Sequence, residues 1–286
     1  MPELPEVETV MRGLKPALEG RLIAKVETRR AGLRFPFPKD FAARLEGKRI
    51  SQLSRRAKYI VGAIEGGGNL LIHLGMTGRF TIVPASGSAR NLGEFYFETG
   101  GEGTGIHDHV VFTLEDGSRV VYTDPRRFGV MDVFDGEHKL LKAIGVEPLG
   151  NELHAGYLAA RFKGKAAPLK AVLLDQKIVA GLGNIYVCEA LFRTRLSPIR
   201  KARTLKAGDL RLDALVRNIR DILGEAIAAG GSTLQDFAAT DGQSGSFQQR
   251  FAVYGREGEP CLSCGAALKR LLQAGRSTFY CKTCQR

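Results

Sequence analysis

The chain has 286 residues, enough for two or three compact units with buried cores. Hydrophobic residues make up 44% and charged residues 25%, which excludes an intrinsically disordered protein. The 42 Lys and Arg residues exceed the 30 Asp and Glu residues, which gives a net charge of +12. A surplus of this size favours a polyanionic partner such as a nucleic acid.

No stretch of the sequence approaches the roughly 18 consecutive apolar residues that a membrane span needs. The acidic residues Glu3, Glu6 and Glu8 are incompatible with the positively charged start of a signal peptide. We therefore expect a cytosolic protein, and in that compartment structural disulfides are rare.

The start of the chain predicts an amphipathic helix that begins near Pro5, a residue favoured in the first helical turn. Glu6 and Glu8 fall in that turn, where the helix dipole favours negative charge. The apolar residues recur at helical spacing, as Val7, Val10, Met11, Leu14 and Leu18. A plain, well-capped helix explains all of these features.

Pro2 gives the same segment a second interpretation. Once Met1 has been removed, Pro2 carries a secondary amine at the chain terminus. An α-amino group has a pKa of about 7.7–8.0, against about 10.4 for lysine, and the positive end of a helix lowers it further. A neutral amine of this kind can attack a sugar C1′ and form an iminium that promotes elimination. Glu3 beside it is a candidate general acid.

Residues 20 to 135 predict β structure, because short segments rich in Val, Ile, Phe and Tyr alternate with glycine turns. Asp116-Gly117 is a two-residue hairpin signal, and several short strands with close turns predict a sandwich. The polar, glycine-rich stretch from Ala85 to Gly105 predicts a mobile loop. The clearest strands are Lys58–Glu65, Asn69–Leu74, Val110–Leu114 and Ser118–Tyr122.

Residues 137 to 240 predict helices. Asp209–Ala229 carries a 3.6-residue apolar period, and Gly230-Gly231 ends that helix. Ser232 and Thr233 can cap a following helix. Asp236–Gln249 is small and polar, which predicts a flexible loop.

The C-terminus predicts a metal site. Cys261-x2-Cys264 and Cys281-x2-Cys284 are separated by 16 residues, the spacing of a four-thiolate structural zinc site. Two disulfides or an iron site are the alternatives. The zinc unit either pins the chain end or, given its basic residues, forms a nucleic-acid-binding hairpin. Cys188 stands apart and predicts a small buried residue.

An ordered set of motifs from Pro2 to Cys284 resembles the formamidopyrimidine-DNA glycosylases (Fpg, also called MutM). Beside the start PELPEVET and the cysteine cluster, the motifs are RRAKY (Arg55–Tyr59), HLGMTG (His73–Gly78), HDHV (His107–Val110), DPRRFG (Asp124–Gly129), GLGNIY (Gly181–Tyr186), VYGREGEPC (Val253–Cys261) and GRSTFYC (Gly275–Cys281).

The resemblance implies an α+β fold with an N-terminal β-sandwich (residues 2–135), a helix-two-turn-helix domain (136–245) and a C-terminal zinc-finger hairpin (246–286). It implies one structural Zn²⁺, held by Cys261, Cys264, Cys281 and Cys284. The expected partner is double-stranded DNA that contains an oxidised base, bound by a monomer in the bacterial cytosol or nucleoid. The segment Ser232–Gln249 corresponds to the family's base-capping loop.

By similarity, Pro2 is the Schiff-base nucleophile and Glu3 the general acid that assists opening at C1′. Lys58 matches the proton donor for β-elimination, and Arg276 matches the finger arginine linked to δ-elimination. The matched DNA-binding positions are His73, Met76, His107, Arg126, Phe128, Lys165 and Asn184.

Three of those positions, Met76, Arg126 and Phe128, match side chains that fill the gap left by an extruded base. From residue type alone, Met76 and Phe128 also fit ordinary core packing. Lys58 follows two arginines and fits a solvated strand end. His107-Asp108-His109 shows no third metal ligand nearby, so a DNA contact or a satisfied hydrogen bond is the simpler interpretation.

The implied activity is a bifunctional DNA glycosylase and AP lyase that removes oxidised purines such as 8-oxoguanine and formamidopyrimidines. Leu4-Pro5 and the DPRRFG motif favour it over the endonuclease VIII branch, which removes oxidised pyrimidines. A non-catalytic zinc-ribbon DNA-binding protein is the alternative from another class, but it gives no role to Pro2 and Glu3.

Overall fold

A computed structural model describes residues 2–86, 90–92, 105–232 and 247–286. The chain divides into two compact units, Met1–Lys142 with Ile227–Gln248, and Ala143–Ala226 with Gln249–Arg286. None of the helices in the described ranges is long and apolar enough to cross a membrane. Most of the loop predicted between Ala85 and Gly105, and most of the predicted flexible and base-capping segment up to Gln249, lies outside the described residues.

The first unit opens with helix α1 (Leu4–Leu18). Its apolar stripe is fully buried, with Val7, Val10 and Leu14 at 1% exposure or less, as the helical spacing predicts. The observed start is one residue before Pro5, because Glu3 acts as the N-cap. A short helix α2 (Lys139–Lys142) follows the sheet.

In the part of the first unit that the structure describes, nine antiparallel strands form the sheet, in the order β6-β5-β8-β7-β1-β2-β3-β4-β9. The strands are β1 (Leu22–Thr28), β2 (Lys48–Arg56), β3 (Tyr59–Ile64), β4 (Asn69–His73), β5 (Arg79–Val83), β6 (Arg90–Leu92), β7 (Asp108–Leu114), β8 (Arg119–Thr123) and β9 (Val130–Phe134).

The sheet has two halves with one shared core. Strands β1 and β2 are joined by only two residue pairs, Leu22 with Arg49 and Ile23 with Lys48. Residues from both halves, such as Ile60 and Phe112, pack in one cluster with the buried face of α1. The arrangement confirms the predicted α+β fold and its N-terminal sandwich.

The four strands singled out from sequence correspond to β3, β4, β7 and β8, each within two residues of its predicted bounds. At the predicted hairpin, Gly117 has a φ of 82° and its amide donates to the Leu114 carbonyl. The prediction of a loop from Ala85 to Gly105 is wrong at β6, because Arg90–Leu92 pairs with β5 as an edge strand.

The second unit contains helices α3 (Ala155–Phe162), α4 (Leu169–Leu173), α5 (Asn184–Arg193) and most of α6 (Leu210–Ala228). Helix α6 matches the predicted helix Asp209–Ala229 to within one residue at each end. Its stripe is buried as the period predicts, at Leu212, Leu215, Val216, Ile219, Ile222 and Leu223, whereas Ile227 is half-buried.

A two-stranded hairpin, β10 (Lys269–Gln273) and β11 (Arg276–Tyr280), lies near the end of the chain. A small apolar cluster forms around the cysteines and includes Phe192 of α5, Val253 and Leu268. Cys188 is 1% exposed and belongs to this cluster, in agreement with its prediction as a buried residue.

Candidate active site and nucleic-acid interface

The N-terminus of α1 holds Pro2 and Glu3 in a buried position. Pro2 is buried, and Glu3 is 3% exposed. Glu3 and Glu6 form a reciprocal capping box, in which the Glu6 carboxylate accepts the Glu3 amide at 2.9 Å. The capping box therefore fixes the backbone that immediately follows Pro2.

Glu6 has a second role that the sequence did not suggest. Its other carboxylate oxygen accepts hydrogen bonds from the Ser232 amide at 2.9 Å and the Ser232 hydroxyl at 3.0 Å. Glu6 thus connects the start of α1 to Ser232, the first residue of the segment predicted as the base-capping loop. A glutamate three residues after an N-cap is the sequence signal for the capping box, but nothing local indicates the contact with Ser232.

A partly buried ion pair joins α1 to the turn that carries Lys58. Arg55 Nε donates to Glu8 at 2.8 Å, and its guanidinium also donates to the Ala57 carbonyl at 3.0 Å. Burial raises the pKa of Glu8, but the bonds from Arg55 and Arg12 outweigh it and hold that pKa below its usual value. The interpretation of Lys58 as a solvated strand end is wrong, since its side chain is only 6% exposed.

His73 lies at the end of β4, where its ring is 4.8 Å from that of Tyr59. Its Nδ1 accepts the Gly75 amide at 3.1 Å. Burial lowers the pKa of His73 to about 4, and the charges of Lys58 and Arg34 act in the same direction. His73 is therefore neutral at pH 7, with its proton on Nε2, and can donate a hydrogen bond to a phosphate.

Two adjacent loops carry the candidate gap-filling residues. Met76 is half-buried in the turn between β4 and β5. Arg126 and Phe128 lie between β8 and β9, with the guanidinium 4.6 Å from the ring centre. Phe128 is 43% exposed, which argues against core packing for this residue. Together with Leu33 and Arg34, these two residues border an open cavity of about 480 Å³.

The HDH motif is largely structural. Asp108 is 1% exposed and accepts the Thr123 hydroxyl, while His109 Nε2 bonds to the Asp124 carbonyl at 2.9 Å. Burial lowers the pKa of His109. Only His107 is partly exposed and available to a ligand. Among the described residues, the cysteine cluster is the one group with metal-ligand geometry.

In the second unit, α5 and β11 are held together beside Arg276. Asn184 at the start of α5 donates to the Ser277 carbonyl at 3.0 Å. The buried Lys170 donates to the same carbonyl at 3.1 Å and to the Thr278 hydroxyl at 2.6 Å. Arg276 itself is exposed at the start of β11, and Lys165 is exposed after α3. Lys170 gave no sequence signal, because a lysine among the apolar residues of a short helix is usually solvated.

The four cysteines fit a tetrahedral zinc site. The Sγ atoms of Cys261, Cys264, Cys281 and Cys284 all lie within 4.8 Å of one another. The 3.5 Å separation of Cys264 and Cys281 is too long for a disulfide, whose S–S bond is about 2.0 Å.

Backbone amides support this thiolate site. The Cys281 Sγ accepts the Cys284 amide at 3.4 Å. Burial raises the pKa of Cys261, but amide hydrogen bonds from Ser263 and Cys264, together with the thiols of Cys281 and Cys264, outweigh it and lower the pKa to about 7. Burial raises the pKa of Cys281. A set of four closely spaced sulfur ligands is suited to one structural Zn²⁺.

The sequence-predicted residues are divided between the two compact units. The first unit holds Pro2, Glu3, Lys58, His73, Met76, His107, Arg126 and Phe128. The second unit holds Lys165, Asn184, Arg276 and the four cysteines. Within the first unit, the Glu8–Arg55 ion pair joins the helix that follows Pro2 and Glu3 to the turn that carries Lys58. The charge of Lys58 contributes to the lowered pKa of His73.

Three family models match the chain. The formamidopyrimidine-DNA glycosylase N-terminal domain matches residues 1–131, its H2TH domain matches 144–238, and the zinc finger found in FPG and IleRS matches 258–286.

The chain is also similar to named relatives along its whole length. The formamidopyrimidine-DNA glycosylase of Ruegeria pomeroyi is 54% identical, with both chains fully covered. The crystal structure of the MutM (Fpg) protein from Thermus thermophilus is 41% identical, with a TM-score of 0.83 and coverage of 99% of this chain and 98% of that one. A Lactococcus lactis Fpg mutant in complex with DNA that contains Fapy-dG is 31% identical, with a TM-score of 0.85 and full coverage of both chains. The chain belongs to the formamidopyrimidine-DNA glycosylase family.

Proposed function

We propose that the Pro2 amine is the nucleophile with which this DNA glycosylase and AP lyase of base excision repair attacks the damaged nucleotide. The observation that carries the proposal is the buried Pro2–Glu3 pair at the N-terminus of α1. The pair is held in place by the capping box with Glu6 and by the Glu8–Arg55 ion pair. Preorganised groups of this kind need little rearrangement to reach a substrate.

The chemistry follows from the amine. The neutral Pro2 nitrogen bonds to C1′ as the glycosidic bond breaks, and the departing base takes up the proton that the Pro2 nitrogen releases. Glu3 supplies a proton that opens the sugar ring at O4′, which leaves an iminium between Pro2 and C1′. Loss of a C2′ proton then expels the 3′ phosphate by β-elimination, with Lys58 as the proton donor. Loss of the 5′ phosphate by δ-elimination involves Arg276.

The remaining site residues bind DNA in this proposal. His73, His107, Lys165 and Asn184 contact the backbone, where basic and amide groups meet phosphate. Met76, Arg126 and Phe128 fill the space of the extruded nucleotide. The exposed Phe128 ring with the Arg126 guanidinium against it supports this role, because that surface is apolar and cationic at once.

The proposed substrate is an oxidised purine in double-stranded DNA. Fapy-dG DNA is bound by the Lactococcus lactis relative, and the Leu4-Pro5 start and the Arg126–Phe128 pair favour the purine branch. The curated relatives are bacterial proteins, which supports action in the bacterial cytosol or nucleoid. We infer that a single chain suffices, since it carries every proposed catalytic residue.

The structural zinc stabilises the finger when bound. The four cysteines hold it, and no step of the reaction passes through the metal. The finger's part is to present Arg276, whose neighbour Ser277 is fastened by Asn184 and Lys170.

Borohydride trapping tests the proposed nucleophile. Reduction of the protein with an 8-oxoguanine duplex is expected to yield a covalent protein–DNA adduct, because borohydride converts the iminium into a stable amine. Pro2→Gly should lose the adduct, since the ring that fixes the secondary amine is gone. The variant must still bind zinc and duplex, which shows that it is folded. If the wild type gave no adduct, the nucleophile assignment and the enzyme function would both fail.

The same assay separates the alternatives. A chain of the endonuclease VIII type would trap thymine-glycol duplex in preference to 8-oxoguanine duplex. A non-catalytic zinc-ribbon protein would bind both duplexes and trap neither.

A further inference from the structure

Two loops of the first unit meet at a buried carboxylate. The loop of residues 73–78 carries Met76, and the loop of residues 124–129 carries Arg126 and Phe128. Asp124 is 0% exposed. Its Oδ1 accepts a hydrogen bond from the Thr77 hydroxyl, and its Oδ2 accepts the Gly129 amide at 2.8 Å. Asp124 therefore contacts both loops at once.

The Thr77 hydroxyl completes the connection. While it donates to Asp124, it accepts the Arg126 amide at 3.2 Å. The hydroxyl of the buried Tyr122 lies 3.4 Å from Asp124 Oδ2 and is a third donor to the carboxylate. A buried carboxylate with several donors is held in one position, because movement would leave it desolvated without compensation.

Glycines let the two loops approach at van der Waals distance. A Cβ on Gly75 would lie 2.4 Å from the Phe128 carbonyl carbon, and Gly75 has a φ of +63°. A Cβ on Gly129 would lie 2.0 Å from the Tyr122 hydroxyl oxygen and 3.0 Å from the His73 carbonyl oxygen. The backbones are thus in contact on both sides of the Thr77–Asp124 bond.

We propose that Thr77 and Asp124 are positioning residues that lock the two loops together, so that Met76, Arg126 and Phe128 enter the duplex as one rigid group. The inference deepens the proposed function, since it rests on the gap-filling role of those three side chains. Neither Thr77 nor Asp124 needs to touch DNA. They act by removing the independent motion of two loops that must be inserted at the same time.

The expected consequence concerns base extrusion rather than bond cleavage. Loops that move separately fill the gap less often, so the extruded base returns to the stack before the amine reacts. Loss of the lock should slow excision of 8-oxoguanine from duplex DNA by about 10- to 100-fold, the range that small misplacements cost. The cleavage of DNA with a preformed abasic site should fall much less, because no base has to be kept out of the helix.

Threonine variants test the proposal with little change of volume. Thr77→Val replaces the hydroxyl by a methyl group, whereas Thr77→Ser keeps the hydroxyl. Thr113→Val, near the C-terminal end of β7, is the matched control in the same sheet. The readouts are single-turnover excision of 8-oxoguanine, nicking of abasic-site duplex, and the fluorescence of 2-aminopurine placed beside the lesion. We expect slow excision and a slow fluorescence change only for Thr77→Val, with recovery in Thr77→Ser.

The outcomes for the loop contact and for the proposed nucleophile can be distinguished. If Thr77→Val extrudes and excises the base at the wild-type rate, the lock is wrong, while borohydride trapping by the wild type would still support the proposed nucleophile. Equal losses on 8-oxoguanine and abasic-site DNA would also overturn it, since they indicate general damage to the site. If Thr77→Val does not fold, amide exchange in the wild type decides the question. The Arg126 and Gly129 amides should be protected together, and exchange at the rate of open loops would refute the lock.

Discussion

Glu3 and Glu6 are acidic side chains that are both 3% exposed, an environment in which a charge needs compensation. The capping box and the helix dipole provide it for the carboxylates at the start of α1. The position that looks like a common helix start in the sequence is therefore a buried site whose backbone is fixed by hydrogen bonds.

His73 yields a prediction on stability and pH. Its pKa of about 4 lies below the ordinary value of 6.5, so the unfolded chain binds more protons between these two values. The free energy of unfolding should therefore fall as the pH is lowered from about 6.5 towards 4.

Urea unfolding at pH 5.0 and 7.5 checks this prediction for wild type and His73→Gln. The wild type should lose about 1–2 kcal/mol more than the variant, at about 1.36 kcal/mol per pKa unit. The same pH dependence in both proteins would show that His73 is protonated in the folded state or exposed to water.

Residue identity predicted some of these sites better than others. The zinc site was predicted from the spacing of the cysteines alone, and the nucleophile and general acid were predicted from the adjacent Pro2 and Glu3. Only the alternative interpretation of Lys58, as a solvated strand end, was wrong, because burial depends on how α1 and the β2–β3 turn pack. The roles of Glu6 and Lys170 were missed, since their partners Ser232 and Ser277 lie more than a hundred residues away in the chain.

At the scale of elements, the finger hairpin illustrates how a small unit gains stability. Strands β10 and β11 have five residues each, and the apolar cluster beside them has few members. Such a unit depends on its metal, since so little apolar surface is buried. Fastening of β11 by Lys170 and Asn184 then fixes the backbone next to Arg276.

Cys264→Ser should lose zinc and duplex binding together, because three remaining thiolates hold the metal poorly and the finger loses its shape. Zinc content by atomic absorption and duplex affinity measure the two effects. Cys188→Ala is the control, since Cys188 packs near the cluster but is outside the ligand set. If duplex binding survived the loss of zinc, the finger would only stabilise the C-terminal end of the chain and would not bind DNA.

Periodicity predicted the long elements well. Helix α1 starts one residue before its predicted start, and helix α6 lies within one residue of both predicted bounds, because each buries a continuous apolar stripe. The shortest strand was not foreseen. Strand β6 has three residues and is defined by its pairing with β5, which no local pattern reveals.

At the scale of the whole molecule, the charge of +12 agrees with a DNA-binding family. The charge does not say which surface binds, and the two compact units each carry predicted DNA contacts. Composition therefore predicted the class of partner, whereas the ordered motifs were needed to predict the fold and the site.

The basic balance leads to a prediction about salt. If about six phosphates are neutralised, the logarithm of the duplex association constant should fall against the logarithm of salt concentration with a slope near −5. Fluorescence anisotropy between about 50 and 200 mM salt measures the slope. An affinity that hardly changes over this range would contradict an interface made with phosphates.

The location of the sugar remnant after borohydride trapping shows directly whether the Pro2 amine is the nucleophile. The adduct with an 8-oxoguanine duplex is digested with nuclease and protease, and the peptides are analysed by mass spectrometry. If Pro2 is the nucleophile, the modified peptide begins at Pro2, without Met1, and carries the remnant on the Pro2 nitrogen. A remnant on a lysine side chain such as Lys58, or an adduct formed by a chain that retains Met1, would contradict it.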